Sequence, residues 1–164
     1  MTGRGQVTLE PWSDDDRTLL DALLGDPEMT VYLGGPESPQ KLDERHARYV
    51  NNPRSLCIRD DGQGVGWVGY WEVEEEDGKA WETGWSVRRE SQGRGIATAA
   101  MKLLIARIRA EGTHRFLHAT TTTDNAASNA LCRKLGFELV RELDYEYPPG
   151  NPVHGNDWRL DLSR

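Results

Sequence analysis

The spacing of apolar and polar positions changes period several times along this chain, and each change marks an element. Val7-Thr-Leu-Glu-Pro-Trp12 alternates with period two and predicts a strand. Ser13 then offers an N-cap with Asp16 three residues on, and Leu19, Leu20, Leu23 and Leu24 form a helical stripe that ends at Gly25. Pro27 to Tyr32 predicts a short helical turn, and Gly34 to Pro39 a loop. A second helix starts at Ser38 with Pro39 in the first helical position, runs through Leu42 and Tyr49, and stops at Asn51-Asn-Pro53. Ser55 to Arg59, Val65 to Val73 and Trp81 to Val87 read as strands of an antiparallel meander, joined at Asp60-Asp-Gly62 and at Glu74 to Gly78. The acidic run Glu74 to Asp77 is read as a solvated turn.

A long helix follows from Gly95 to Glu111, with Gly112 in the C′ position. Phe116 to Thr122 is a β-branched and apolar strand. Asp124 is placed to cap a helix that starts at Asn125 or Ala126 and ends at Leu135-Gly136. Phe137 to Arg141 predicts a strand, Tyr145 to Asp157 a long Pro/Gly-rich loop, and Trp158, Leu160 and Leu162 a last strand. The order β-α-α-β-β-β-α-β-α-β-β predicts the α+β class. The strand after the long helix is expected to run parallel to the one before it. No internal repeat or low-complexity tail interrupts it, and at 164 residues the chain is expected to form one domain, 1–164.

Composition narrows the function. The net charge of −7 argues against non-specific nucleic-acid binding and accommodates a cationic acceptor. No apolar run approaches the roughly 20 residues that span a bilayer, and the polar stretch Met1 to Gln6 has no signal-peptide core, so no membrane partner and a cytoplasmic setting are expected. Cys57 and Cys132 form no disulfide framework, and His114 and His118 lie at a strand entry, where they need not share a face. No metal is expected. Of the tryptophans, Trp67, Trp71, Trp81 and Trp85 fall on the meander, positioned to pack it or to line an acceptor pocket.

Gln92-Gly-Arg-Gly-Ile-Ala97 carries the clearest chemistry. Two glycines sit where a strand turns into a helix. The first amides of a helix lack partners there and its dipole favours negative charge, so a diphosphate can approach the main chain. Arg88, Arg89 and Arg94 surround the turn with positive charge. Thr98 stands where a dinucleotide fingerprint would place its third glycine, and there is no triphosphate-binding loop.

This Gln-x-x-Gly-x-Ala pattern resembles the coenzyme A pyrophosphate loop of the GNAT superfamily of N-acetyltransferases. Asn125-Ala-Ala-Ser128 with Leu131-Cys-Arg-Lys-Leu-Gly-Phe137 is similar to that family's second cofactor segment. Glu82-Thr-Gly-Trp-Ser-Val87 resembles the strand before the loop in the ribosomal-protein alanine N-acetyltransferase (RimJ/RimL-like) branch. The resemblance implies one mixed sheet of about seven strands with helices on both faces. It also implies that the two central strands splay apart around the cofactor, and that the early helices form one wall of the acceptor site. The implied activity is direct transfer of an acetyl group from acetyl-CoA to a primary amine, with a non-catalytic acyl-CoA sensor as the alternative. The implied cofactor contacts are Trp85, Ser86, Val87, Gln92, Gly93, Arg94, Gly95, Ile96, Ala97, Thr98, Asn125 and Ser128. Glu82 is the implied base and Ser128 the implied proton or hydrogen-bond donor. Many relatives carry tyrosine where this chain has Cys132, so the general acid is Ser128, Cys132 or none. The identity of the amine, and whether the protein is a monomer or a homodimer, stay open.

Overall fold

The computed structural model describes residues 5–164. The stretch Met1 to Gln6, read above as lacking a signal-peptide core, therefore falls partly outside the described residues. Seven strands form one sheet in the order β1-β2-β3-β4-β5-β7-β6. They are β1 (Val7–Pro11), β2 (Ser55–Asp60), β3 (Gln63–Glu75), β4 (Gly78–Val87), β5 (Phe116–Thr122), β6 (Glu138–Glu146) and β7 (Pro152–Asp161). Among the described residues, four α-helices complete the fold, α1 (Arg17–Leu24), α2 (Pro39–Val50), α3 (Ile96–Glu111) and α4 (Ala126–Lys134), with short 3-10 turns at Asp14–Asp16 and Arg89–Ser91. The pair β4–β5 is parallel and every other neighbouring pair is antiparallel, so the sheet is mixed. Among the described residues, no helix is long and apolar enough to cross a membrane.

Alternation along the strands divides the apolar residues between two cores. Leu56, Ile58, Val68, Trp81, Leu117 and Ala119 face α3 and α4, where Met101, Leu104, Ile108 and Leu131 meet them. Cys57 faces the other way, against Trp12, Leu20, Leu42 and Tyr49 of the α1–α2 layer, with Trp67 packed beside them. Leu104 and Met101 are fully buried, and each such side chain contributes about 1.5–3 kcal/mol by leaving water. Local signals hold at the ends. Ser38 Oγ accepts from Lys41 N, and Asp61 and Gly62 both take the positive φ that a tight type I′ hairpin needs.

Several expectations are corrected. Pro27 to Tyr32 forms hydrogen-bonded turns without a helix. Glu74 and Glu75 belong to β3, so only Glu76 and Asp77 turn the acidic hairpin. The cap of α4 is Asn125, whose side chain accepts from Ser128 N, and not Asp124. The expected loop from Tyr145 to Asp157 shrinks to residues 147–151, because β6 runs on to Glu146 and β7 begins at Pro152. Polar residues, a proline and a glycine hide this strand in the sequence. It exists because it hydrogen-bonds β5 on one side and β6 on the other, and because its polar side chains find buried partners.

His118 is such a partner, a role that neither its residue type nor its spacing revealed. It lies on β5, 6% exposed, with Nδ1 2.7 Å from Asp157 Oδ1 on β7. Glu75 stands 4.0 Å away, Arg141 Nε is 3.7 Å from the far oxygen of Asp157, and Arg159 occupies the register position opposite His118. Burial and Arg159 work against the imidazolium, but the hydrogen bond and charge of Asp157, with Glu75, outweigh them and raise the pKa of His118. A raised folded-state pKa contributes stability that is fully present below the unfolded value of about 6.5 and is lost as pH rises through the folded value. The stability gap between the wild type and His118→Gln in urea melts should therefore be widest in mild acid and narrow as pH rises. A gap that widened towards alkaline pH would show the ring is held neutral.

Candidate functional site

The ladder between β4 and β5 stops early. Only Trp81, Glu82 and Thr83 pair with Leu117, His118 and Ala119. Beyond them β4 continues to Val87 against β3 alone, and β5 continues to Thr122 against β7 alone. The polar backbone groups of Gly84 to Val87 that face β5 therefore have no strand to bond. A cavity of about 1070 Å³ opens in this gap. Single small-molecule sites run from about 300 to 1,000 Å³, so this cavity stands at the upper end of that range.

The glycine loop closes one end of the cavity. Gly93 has φ 75° and Gly95 φ 77°, and a Cβ added at either would meet nothing within 4 Å. Both glycines thus meet a backbone requirement and leave the space above the loop open. Gly95 is the N-cap of the 16-residue helix α3, so the free amides of its first turn point towards that space. Gln92 Nε2 donates to Val87 O at 2.9 Å and ties the loop to the strand before it. The positive charge expected around the loop is largely paired: Arg89 binds Asp26 and Glu28, and Arg94 binds Asp60 at 3.0 Å. Arg88 Nε donates to Ser91 Oγ.

Every predicted site residue except Arg94 lines the cavity. Glu82 stands on β4 at the middle of the three paired rungs, one residue before the ladder ends. Its Oε1 accepts from Thr120 Oγ1 at 3.0 Å and its Oε2 from Trp71 Nε1 at 3.1 Å. Across the gap, Ser128 lines the cavity from the first turn of α4. Cys132, one helical turn further along α4, does not line the cavity. Cys132 is fully buried in the α3–α4 core, where burial pushes its thiol up to about 12. Trp81 packs inside, while Trp67, Trp71 and Trp85 line the cavity.

Three features escaped sequence reasoning. Tyr145, hidden in the supposed loop, lines the cavity from β6, and burial together with the nearby charge of Glu82 raises its pKa. Asn129 is buried beneath the start of α4. Its Nδ2 donates to the carbonyls of Thr122, Thr123 and Asn125, and its Oδ1 accepts from Thr121, Asn156 and Trp158. A polar residue between Ser128 and Leu131 on the inward face was the available signal. Third, the segment after α1 spans the cavity, with Met29 Sδ 3.3 Å from Gln92 Nε2 and Tyr32 Oη donating to Asp124 O at 3.4 Å.

These residues fit a coenzyme A thioester. The open glycine turn, the free helix amides and the unpaired edge of β4 supply donors for a diphosphate and for an amide-bearing arm. The curated L-methionine sulfoximine/L-methionine sulfone acetyltransferase of Pseudomonas aeruginosa is 32% identical over 114 residues, which cover 65% of this chain and 66% of that protein, just under two thirds of its length. A solved ribosomal-protein-alanine N-acetyltransferase from Brucella melitensis aligns with TM-score 0.76 and 24% identity, covering 94% of this chain and 99% of the other. A putative acetyltransferase from Salmonella typhimurium, solved with its cofactor acetyl-CoA, aligns with TM-score 0.76 and 20% identity over 95% and 94%. At these identities the structural likeness is one of fold. The acetyltransferase (GNAT) domain model matches residues 6–138, so with the divergent β4–β5 pair and the glycine turn in view, the chain belongs to the GNAT acetyltransferase family.

Proposed function

We propose that residues 1–164 act as one acetyl-CoA-dependent N-acetyltransferase unit that moves the acetyl group directly to a primary amine. One observation carries this reading. Glu82 and Ser128 line a single cavity from opposite sides of the β4–β5 gap, and the glycine turn lies at its end. Acetyl-CoA supplies an activated acyl group as a thioester. The loop from Gln92 to Thr98 and the first turn of α3 would hold its diphosphate, with Asn125 and Ser128 on the far wall. The amides of Trp85 to Val87 that face the gap are donors for negative charge on an acyl oxygen, the kind of preorganised contact that speeds acyl transfer. Holding two reactants together can contribute roughly 7–11 kcal/mol.

Glu82 is the group we assign to take the amine proton, directly or through water. Its two hydrogen bonds come from neutral donors and leave it ready to accept a third. An α-amine, near 7.7–8.0, is partly neutral at pH 7, whereas a lysine amine near 10.4 is almost wholly charged. A carboxylate base therefore suits an α-amine or another activated amine. The relative named for L-methionine sulfoximine, a molecule with an α-amine, supports an amine of this kind. The buried free thiols of Cys57 and Cys132 suit a reducing, cytoplasmic setting.

Acetyl-CoA should raise the melting temperature, and NAD or ATP far less. Gly95→Glu should abolish that stabilisation by placing negative charge in the open space over the loop. An unaltered shift in this variant would refute the loop assignment. With an amine library, steady release of free thiol marks a transferase, while stabilisation without release marks an acyl-CoA sensor.

Glu82→Gln should lower turnover by about a hundredfold or more, remove the acid limb of the pH–rate profile and leave cofactor affinity nearly intact. Near wild-type turnover would leave Glu82 as a surface strand residue.

Ser128 lines the cavity and its hydroxyl can steady a leaving thiolate without ionising. A thiol near 8.5 needs little acid assistance, so Ser128→Ala should cost about tenfold in turnover and Cys132→Ala little. Cys132→Tyr should not improve turnover, because the site of the new ring is closed core. An inactive Cys132→Ala of normal stability beside a normal Ser128→Ala would reverse the assignment.

A further inference from the structure

The acceptor half of the cavity has a floor built in an unusual way. The register pairs Gly69 of β3 with Gly84 of β4. A Cβ on Gly69 would lie 2.4 Å from Trp67 Cζ2, and one on Gly84 would lie 3.3 Å from both Trp67 Cζ3 and Trp71 Cη2. The two indoles therefore lie across a glycine pair, on the sheet face that also carries Glu82. Each ring is pinned by its N–H: Trp67 Nε1 donates to Ser55 Oγ at 2.6 Å and Trp71 Nε1 to Glu82 Oε2 at 3.1 Å. Tyr49 stacks on Trp67 at 5.1 Å with an interplanar angle of 7°. Trp71 nevertheless remains 41% exposed, an aromatic surface held open inside the cavity.

Charge on the same wall is one-sided. Among the described residues, no cation lies within 4.0 Å of Glu82. Arg45, half-buried, spends Nε and Nη2 on Glu37 and Nη1 on the Tyr49 hydroxyl. Arg89 is committed to Asp26 and Glu28. The Arg54 guanidinium lies 4.7 Å from the centre of the Trp81 ring, which belongs to the opposite core. Arg48 and Lys134, the other cations that line the cavity, are exposed. A ligand carboxylate near Glu82 would thus meet a like charge without a sheltered, uncommitted guanidinium to answer it.

We infer that the acceptor site selects primary amines borne on an apolar or aromatic body with no carboxylate beside the amine. This rests on the transferase reading and deepens it. The ammonium form is drawn to Glu82 and to the indole faces, which attract cations through the ring quadrupole. The body of the ligand then covers Trp67 and Trp71, and a neutral group next to the amine avoids the repulsion that a carboxylate would meet. The inference separates this chain from the relative named for methionine sulfoximine and methionine sulfone, which are free amino acids.

The test uses acceptors with matched bodies, compared per neutral amine: tryptamine against tryptophan, where the carboxylate is absent, and phenylalaninamide against phenylalanine, where a neutral carboxamide replaces it. Thiol release by the full chain at saturating acetyl-CoA gives kcat/KM for each. The carboxylate-free member of each pair should be preferred at least about tenfold, the scale expected when like charges meet in a partly dry site. Equal or greater use of the free amino acids would overturn the inference and leave the transferase reading standing. Release with none of the four, nor with any other amine, would overturn both.

Discussion

A parallel strand pair that stops pairing partway is the constraint on which the rest of this structure depends. Backbone groups that lose their ladder must find water or another partner, and each left dry and unpaired costs about 1–3 kcal/mol. After Thr83 the edge of β4 faces open space, and the molecule is arranged to keep that space open. The antiparallel pairs hold each diverging strand from its outer side, β3 against β4 and β7 against β5. The α3–α4 core fixes the lower face. The break is possible because the flanking ladders are long, and a molecule that bonds to the exposed edge completes the sheet.

The second wall is set by one buried amide. Asn129 gathers three carbonyls from the turn before α4 and accepts from donors on β5 and β7. A fully partnered polar centre of this kind specifies one arrangement where an apolar contact would tolerate sliding. Ser128 is its chain neighbour, so the position of that hydroxyl follows from a residue that never touches the cavity.

Features governed by local chemistry could be read from the chain. The glycines at 93, 95, 112 and 136 stand where φ is positive, and Ser38-Pro39 starts a helix as its side chains require. Glu82, Ser128 and the loop were legible through a family resemblance, and all but Arg94 line the cavity. What could not be read depends on partners far away in sequence. β7 looks like a loop because Asn156 and Asp157 are polar, and the Asn156 amide nitrogen and the Asp157 carboxylate find their buried partners only once α4 and β5 arrive. The arginines around the loop looked free because Asp26, Glu28 and Asp60 come from other parts of the chain. The indole floor needed the register of two glycines on different strands, which no single-strand pattern contains.

The placement of the two cysteines has a redox meaning. An acetyl-CoA-dependent acetyltransferase releases coenzyme A, a free thiol, beside the cavity wall at each turnover. A thiolate on that wall would be open to mixed-disulfide formation whenever oxidants are present. Here Cys57 and Cys132 are both fully buried, and burial pushes each thiol up to about 12. Each is protonated and sealed within a core, so the protein offers its own product no nucleophilic sulfur. Oxidative stress would then reach the chain by oxidising free coenzyme A, while the folded protein keeps its thiols.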